Sequence, residues 1–136
     1  MVETIEETFY EKMLHKKSEN FVSVAFEIKN FISNLGKIIE KENRMFGSGS
    51  GSALHLSFDV VKDIDGVSCI IFSFDIFGEE KRLKINIRGY LRTELKPERL
   101  FNEYYSEVLY PSVSLRVKDE IKRIGKEIEK KIESLS

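Results

Sequence analysis

Three stretches, LHLSFDVV (54–61), CIIFSFDIF (69–77) and LKINIRGYL (83–91), decide the fold of this chain. Apolar side chains alternate with others in each of them, and because successive side chains of a strand point to opposite faces, each stretch offers one apolar face. Asp65-Gly66 separates the first two stretches, and Gly78 with two glutamates separates the second from the third. Glycine accepts positive φ without steric cost, and both connections are too short for parallel crossovers. The pattern therefore predicts an antiparallel meander.

The segment before the meander favours helices. Residues 2–17 carry Ile5, Phe9 and Met13 at helical spacing, with acidic residues early and lysines late, which suits the helix dipole. A second helical stripe predicts a helix over 20–43, and its members are Phe21, Val24, Ile28, Phe31, Leu35 and Ile38. Residues 21–31 also alternate as a strand would, so both alternatives stay open there, and a strand would give the sheet four members.

A strict repeat, GSGSGS, occupies residues 47–52. Such a repeat buries nothing and is typical of an engineered flexible linker. No Gly-Lys-Ser/Thr follows its glycines, which excludes a phosphate-binding loop. The repeat divides the chain into an amphipathic helical segment (1–46), the linker (47–52) and a sheet with a long helix (53–136). Segment 1–46 is either native to the chain or a fused partner piece.

A long helix is predicted from Ser112, after Pro97 opens a helical stretch and Pro111 interrupts it. Its apolar side comprises Val113, Val117, Ile121, Ile124, Ile128, Ile132 and Leu135. A helix of about 24 residues spans roughly 36 Å, whereas a three-stranded sheet is roughly 10 Å wide between its outer strand axes. We therefore expect the stripe Val117, Ile121, Ile124, Ile128 and Ile132 to pack against Met13–Ile39 of the same chain or of a second subunit in a homo-oligomer.

No constellation of residues indicates catalysis. His15 and His55 lie on different predicted elements without the converging ligands that a metal needs, so we expect no metal, no cofactor and no enzyme. Cys69, the one cysteine, fits a small core residue, and a chain without possible internal disulfides fits a reducing interior.

Composition narrows the function classes further. The net charge is −1, with 41% apolar and 33% charged residues, so nothing draws the whole chain to nucleic acid. No apolar run approaches the ~18 residues of a membrane span, and the acidic N-terminus has no signal region. The expectation is a cytoplasmic protein without membrane insertion.

An apolar patch is predicted on the second strand, because Val67, Cys69 and Ile71 are apolar where the flanking strands carry polar groups. Such patches often mark interaction surfaces, although a sheet covered on both sides would also explain this one. The candidate polypeptide-binding residues are Val67, Ile71, Phe77 and Tyr90.

A basic face is predicted on the third strand. Lys84, Arg88 and Arg92, with Tyr90 between them, fit a solvated outer face better than a nucleic-acid site, given the near-neutral charge.

The order of these segments resembles the SecB-like export chaperone family. LHLSFDVV leads to GVSCIIFSFDIFG, then to RLKINIRGYLRTE with Gly89 before an aromatic, then to ERLFNEYYSEV, and Leu109-Tyr110-Pro111 opens the long helix. The family begins with a strand, where this chain predicts helix, and carries Phe where this chain has Tyr90. The resemblance implies an oligomer that binds unfolded chains in apolar grooves.

The expected fold is α+β, an antiparallel sheet of three or four strands packed on a long C-terminal helix, with a helical N-terminal segment. The expected function is a non-enzymatic, SecB-like module that holds unfolded or partner polypeptides. The alternatives are an assembly protein that oligomerises through its long amphipathic helices and a nucleic-acid-binding domain.

Overall fold

The computed structural model describes residues 3–47, 52–64, 66–95 and 104–135. Over these residues the chain is α+β, as expected, with five strands rather than three or four. The elements in chain order are β1 (Glu3–Lys17), α1 (Phe21–Ile32), β2 (Lys37–Phe46), β3 (Ala53–Ile64), β4 (Val67–Glu79), β5 (Arg82–Leu95), a π-helical turn (Tyr105–Leu109) and α2 (Tyr110–Ser134).

The strands form one antiparallel sheet in the order β1-β5-β4-β3-β2. The predicted meander is confirmed and forms its centre, β3-β4-β5. β1 pairs with β5 at one edge, and α1 carries the chain to the opposite edge, where β2 pairs with β3. Segment 3–46 therefore supplies both edges of the sheet.

The helical expectation for the N-terminal segment is wrong except over α1. Of the two alternatives for residues 21–31, the structure has the helix, which buries Phe21, Val24 and Ile28. β1 carries a bulge at Phe9, between Thr8 and Tyr10, which breaks its two-residue alternation and leaves apolar residues at helix-like spacing. The predicted helix over 20–43 ends early, and an ideal Cβ on Gly36 would lie 2.7 Å from the Val61 carbonyl oxygen, so only glycine fits where the chain passes onto β3.

The turn between β4 and β5 lies later than predicted. Gly78 belongs to β4, and the turn residues are Glu80 and Lys81, with φ of 51° and 62°. Gly78 is explained by packing instead, because a Cβ there would approach Phe21 to 2.8 Å and Leu54 to 2.9 Å.

The long helix α2 packs on the sheet within the same chain. The π-helical turn leads directly into α2, and Pro111 lies in the first turn of α2, so the predicted interruption at Pro111 is a change from π-helical to α-helical hydrogen bonding and not a break. The predicted stripe is buried, and α2 contacts β1, β5 and α1. Five strands make the sheet roughly 19 Å wide at about 4.8 Å per strand. The wider sheet and α1 therefore cover the stripe, and no second subunit is needed to do so.

Two sequence expectations fall mostly outside the described residues. Residues 48–51 of the Gly-Ser repeat are outside them, as are residues 96–103, which include Pro97 and the start of the predicted helical stretch.

Candidate binding face of the sheet

Among the described residues, one face of the sheet is covered by helices, and the other is not. The covered face packs against α1 and α2 and carries Phe58, Phe72 and Ile85, each at most 1% exposed. The open face is opposite, and the strand register aligns its residues in rows. One row runs Arg44, His55, Phe77, Lys84, His15, and another includes Asp59, Ser73 and Arg88. Any site on the sheet that a large ligand could reach lies on the open face.

A polar ladder crosses one half of the open face. Lys41 Nζ lies 3.0 Å from Asp59 Oδ1, Ser73 Oγ donates to the same oxygen at 2.5 Å, and Tyr90 Oη lies 2.6 Å from Ser73 Oγ. The Arg88 guanidinium lies over the Tyr90 ring, 4.2 Å from its centroid. Arg88 also pairs with Glu6 and donates to Thr8 on β1. These contacts join all five strands and bury Asp59 and Tyr90 to about 5% exposure, which is a structural role.

Three of the four predicted binding residues are not available on the open face. Tyr90 is a buried member of the ladder, with the Arg88 guanidinium over its ring. Ile71 is the extra residue of a bulge, since Val60 pairs with Phe72 and Val61 with Ile70. A one-residue bulge reverses which side chains face the core. The placement of Val67 and Ile71 on the outer face is therefore wrong: Ile71 is buried, and Val67 packs against the core with it.

The same bulge accounts for Cys69. It turns this side chain into the core, where the Sγ lies 3.4 Å from Thr93 Oγ1, and Thr93 Oγ1 lies 3.1 Å from Tyr105 Oη. The expectation that Cys69 is a core residue is confirmed.

Phe77 remains on the open face, 42% exposed, and lines a shallow depression of about 450 Å³. The adjacent Phe46, 53% exposed, lines it too. His55 stacks on Phe77 with ring centroids 4.2 Å apart and planes 12° apart, because the two residues are direct partners on β3 and β4. His55 Nε2 lies 3.4 Å from Asp75 Oδ1, and this contact helps to hold the imidazole ring in place. We call Phe46, His55 and Phe77 the aromatic depression.

Sequence reasoning missed Phe46 and His55. The signal for His55 was present, because the short connection predicted between the first two stretches pairs the early part of β3 with the late part of β4. Phe46 had no such signal, since it ends a strand that the sequence pattern assigned to a helix.

Two cations lie at the aromatic depression. Arg82 and Lys84 line it together with His15, and Glu79 is its one carboxylate. Elsewhere on the open face, Lys41, Arg44, Arg88 and Arg92 all pair with carboxylates. Within the described part of the chain neither Arg82 nor Lys84 has a carboxylate oxygen within 4.0 Å. The depression therefore combines exposed rings with two cations that form no ion pair within 4.0 Å among the described residues, and with the carboxylate of Glu79, the strand partner of Arg82.

The shifted pKa values belong to other parts of the molecule. Burial, and then the Glu7 carboxylate beside it, raises the pKa of Tyr110 to about 12. Burial and the Glu129 carboxylate likewise raise the pKa of Tyr10 on the covered face. A hydrogen bond from Lys29 lowers the pKa of Glu40. These shifts follow from packing between β1 and α2 and from a surface ion pair.

The described residues hold no cluster of three or more His, Cys, Asp or Glu side chains that could bind a metal ion. Among the same residues, no helix is long and apolar enough to cross a membrane.

Comparison with known proteins finds no matching family model and no matching curated protein. Among solved structures, a point mutant of norcoclaurine synthase from Thalictrum flavum, in complex with a transition-state analogue, is similar over 95% of this chain and 99% of its own. The identity is 13% and the TM-score is 0.22, values at which the likeness carries no argument about fold or function.

Proposed function

We propose that this protein is a non-enzymatic polypeptide-binding module that holds extended apolar segments of unfolded or partner chains in the aromatic depression. The observation that carries the proposal is that two exposed phenyl rings, Phe46 and Phe77, line the same depression on the open face of the sheet. The core does not use them, because α1, α2 and the covered face bury its apolar groups. Exposed apolar groups that the fold does not need are typical of interaction surfaces.

An extended segment suits the shape and position of the depression. Its wall includes the end of β2, and in the described part of the chain no strand pairs with the far side of β2. A strand paired with that edge would lie about 14 Å from β4, three strand spacings away, so a segment that contacts both rings lies across the open face instead. A bound segment would place apolar side chains on Phe46 and Phe77 and remove both rings from water. Each Å² of apolar surface buried in this way contributes roughly 25 cal/mol to the free energy of binding.

The resemblance to SecB-like export chaperones supports the same class of function. One departure from that family's pattern, the predicted helix at the N-terminus, no longer stands, because the fold begins with the strand β1. The resemblance rests on the order of the segments and on their residue types, whereas the binding surface proposed here rests on this chain's own side chains.

Both alternatives have less support from the described residues than the polypeptide-binding proposal has. An assembly protein needed a free apolar stripe on the long helix, but Val117, Ile121, Ile124, Ile128 and Ile132 are buried within the chain. The predicted nucleic-acid site comprised Lys84, Arg88 and Arg92, and two of these, Arg88 and Arg92, pair with Glu6. Homo-oligomerisation through this helix stripe is therefore not part of the proposal.

The test is suppression of aggregation of a chemically denatured, unrelated protein on dilution. The whole chain should suppress the rise in light scattering, and the double variant Phe46→Ser/Phe77→Ser should lose that ability while keeping its far-ultraviolet circular dichroism. Leu115→Ser is the matched control, because Leu115 is 74% exposed on α2, away from the sheet. Equal suppression by the double variant and by the whole chain would overturn the proposal.

A further inference from the structure

We propose that the aromatic depression selects acidic segments, in which an aspartate or glutamate lies two positions from an aromatic or aliphatic residue. This inference rests on the proposed polypeptide-binding function and adds the chemistry of the partner. It follows from the charges that the fold leaves unpaired beside the two phenyl rings.

The pairing of cations on the open face is uneven. Lys41, Arg44, Arg88 and Arg92 have carboxylate partners on their own or neighbouring strands. Arg82 and Lys84 lie at the depression, and among the described residues no carboxylate oxygen approaches either within 4.0 Å. The depression thus carries two cations against one carboxylate, Glu79, beside the exposed apolar surface, in a chain with a net charge of −1.

The register sets the spacing that a partner has to match. Lys84 is the direct partner of Phe77 on the adjacent strand, so their backbones are about 4.8 Å apart. In an extended segment, side chains that point to the same face are two residues, or about 6.8 Å, apart. A segment whose apolar side chain packs on Phe77 therefore brings its next same-side residue within reach of the long Lys84 side chain.

The attraction should act mainly on selectivity. Charges at the rim of a binding surface raise association rates and reject partners of like charge more than they raise affinity. Two such exposed ion pairs correspond to about a five- to tenfold change in the dissociation constant. Salt should weaken this preference, because the Debye length falls from about 10 Å at 0.1 M to about 3 Å at 1 M.

The experiment is isothermal titration calorimetry of the full chain with three nine-residue synthetic peptides. The peptides share three apolar residues, including one Phe, and carry Asp, Ser or Lys at the two positions that lie two residues from the Phe. At 50 mM salt the Asp peptide should bind about five- to tenfold more tightly than the Ser peptide, and the Lys peptide more weakly than both. The differences should shrink at 500 mM salt.

Two variants separate charge selection from binding itself. Arg82→Glu/Lys84→Glu should reverse the order, so that the Lys peptide binds more tightly than the Asp peptide. Lys122→Glu/Lys126→Glu changes the net charge equally on the exposed side of α2 and should leave the order unchanged. A single-stranded oligothymidine should bind more weakly than the Asp peptide.

The failures are distinguishable. If the three peptides bind equally and Phe46→Ser/Phe77→Ser abolishes their binding, polypeptide binding stands and the acidic preference is overturned. If none of the peptides binds, both proposals fail. If the oligothymidine binds more tightly than the Asp peptide, the cations serve nucleic acid and the inference is wrong.

Discussion

The covered and open faces of the sheet are made by the same strands, yet they are built in different ways. The covered face is a continuous apolar layer, in which Phe58, Phe74 and Ile76 are all but inaccessible. The open face has a polar ladder over one half and the aromatic depression over the other. The covered face holds the fold together. The open face near Phe77 can therefore change without loss of the fold, and a binding function can reside there.

The largest expected effect comes from the covered face. Phe72→Ala should lower the free energy of unfolding by about 3–5 kcal/mol, because it leaves a cavity where a fully buried ring was. Phe77→Ala removes the same atoms from a partly exposed position and should cost less than about 1 kcal/mol. Urea denaturation of both variants measures the difference. If both variants lost a similar amount of unfolding free energy, the open face would contribute to stability as much as the core does.

A smaller effect is expected where the covered face touches α2. An ideal Cβ on Gly89 would lie 2.5 Å from Ile121 Cγ2 and 2.9 Å from Phe72 Cε1. Gly89→Ala should therefore cost about 1–3 kcal/mol through overpacking. Ile121→Leu removes the branch that the new methyl meets, so the double variant should recover part of the loss in urea denaturation. Strict additivity of the two changes would contradict the close approach.

The polar ladder should contribute less than the covered face. Tyr90→Phe removes one hydroxyl from the chain of contacts to Ser73 and should cost about 0.5–1.5 kcal/mol. Tyr104→Phe is the control, because the Tyr104 side chain is 53% exposed. Unchanged stability in Tyr90→Phe, measured by thermal unfolding, would show that the ladder is incidental.

The smallest effect is one of pH. The pKa of Tyr110 is raised to about 12 in the folded chain, so the unfolded chain ionises first as the pH rises above the ordinary value of 10. Stability should therefore be intact below pH 10 and decline between pH 10 and 12. Tyr110→Phe should make that decline shallower, as measured by chemical denaturation at several pH values. An identical decline in the variant would assign the loss to other groups, Tyr10 among them.

The centre of the fold could be predicted from the sequence, whereas its edges could not. β3, β4 and β5 each bury one side, so their apolar residues alternate clearly. β2 is an edge strand, and most of its side chains are exposed, so hydrophobic alternation says little about it. In β1 the bulge at Phe9 shifts the alternation by one residue. Bulges depend on pairing with a neighbour, and the sequence of one strand does not record them.

The same limit applied to the candidate site. The bulge at Ile71 moved Val67 and Ile71 to the core, and the ladder buried Tyr90, so Phe77 alone stayed exposed. Phe46 joined it only through the order of strands in the sheet, because β2 follows α1 across to β3. The sequence could predict that polar and apolar residues share the open face, but which of them are accessible depends on how the strands pair and where they bulge.

The most direct test of the binding face is site-specific photo-cross-linking. The photoreactive p-benzoylphenylalanine replaces Phe77 in one protein and Leu115 in another, since both positions are exposed and lie on different surfaces. Each protein is irradiated with a denatured, unrelated polypeptide. Cross-links to that polypeptide from position 77 and few from position 115 are the predicted result. Equal cross-linking from both positions, or more from 115, would contradict the account.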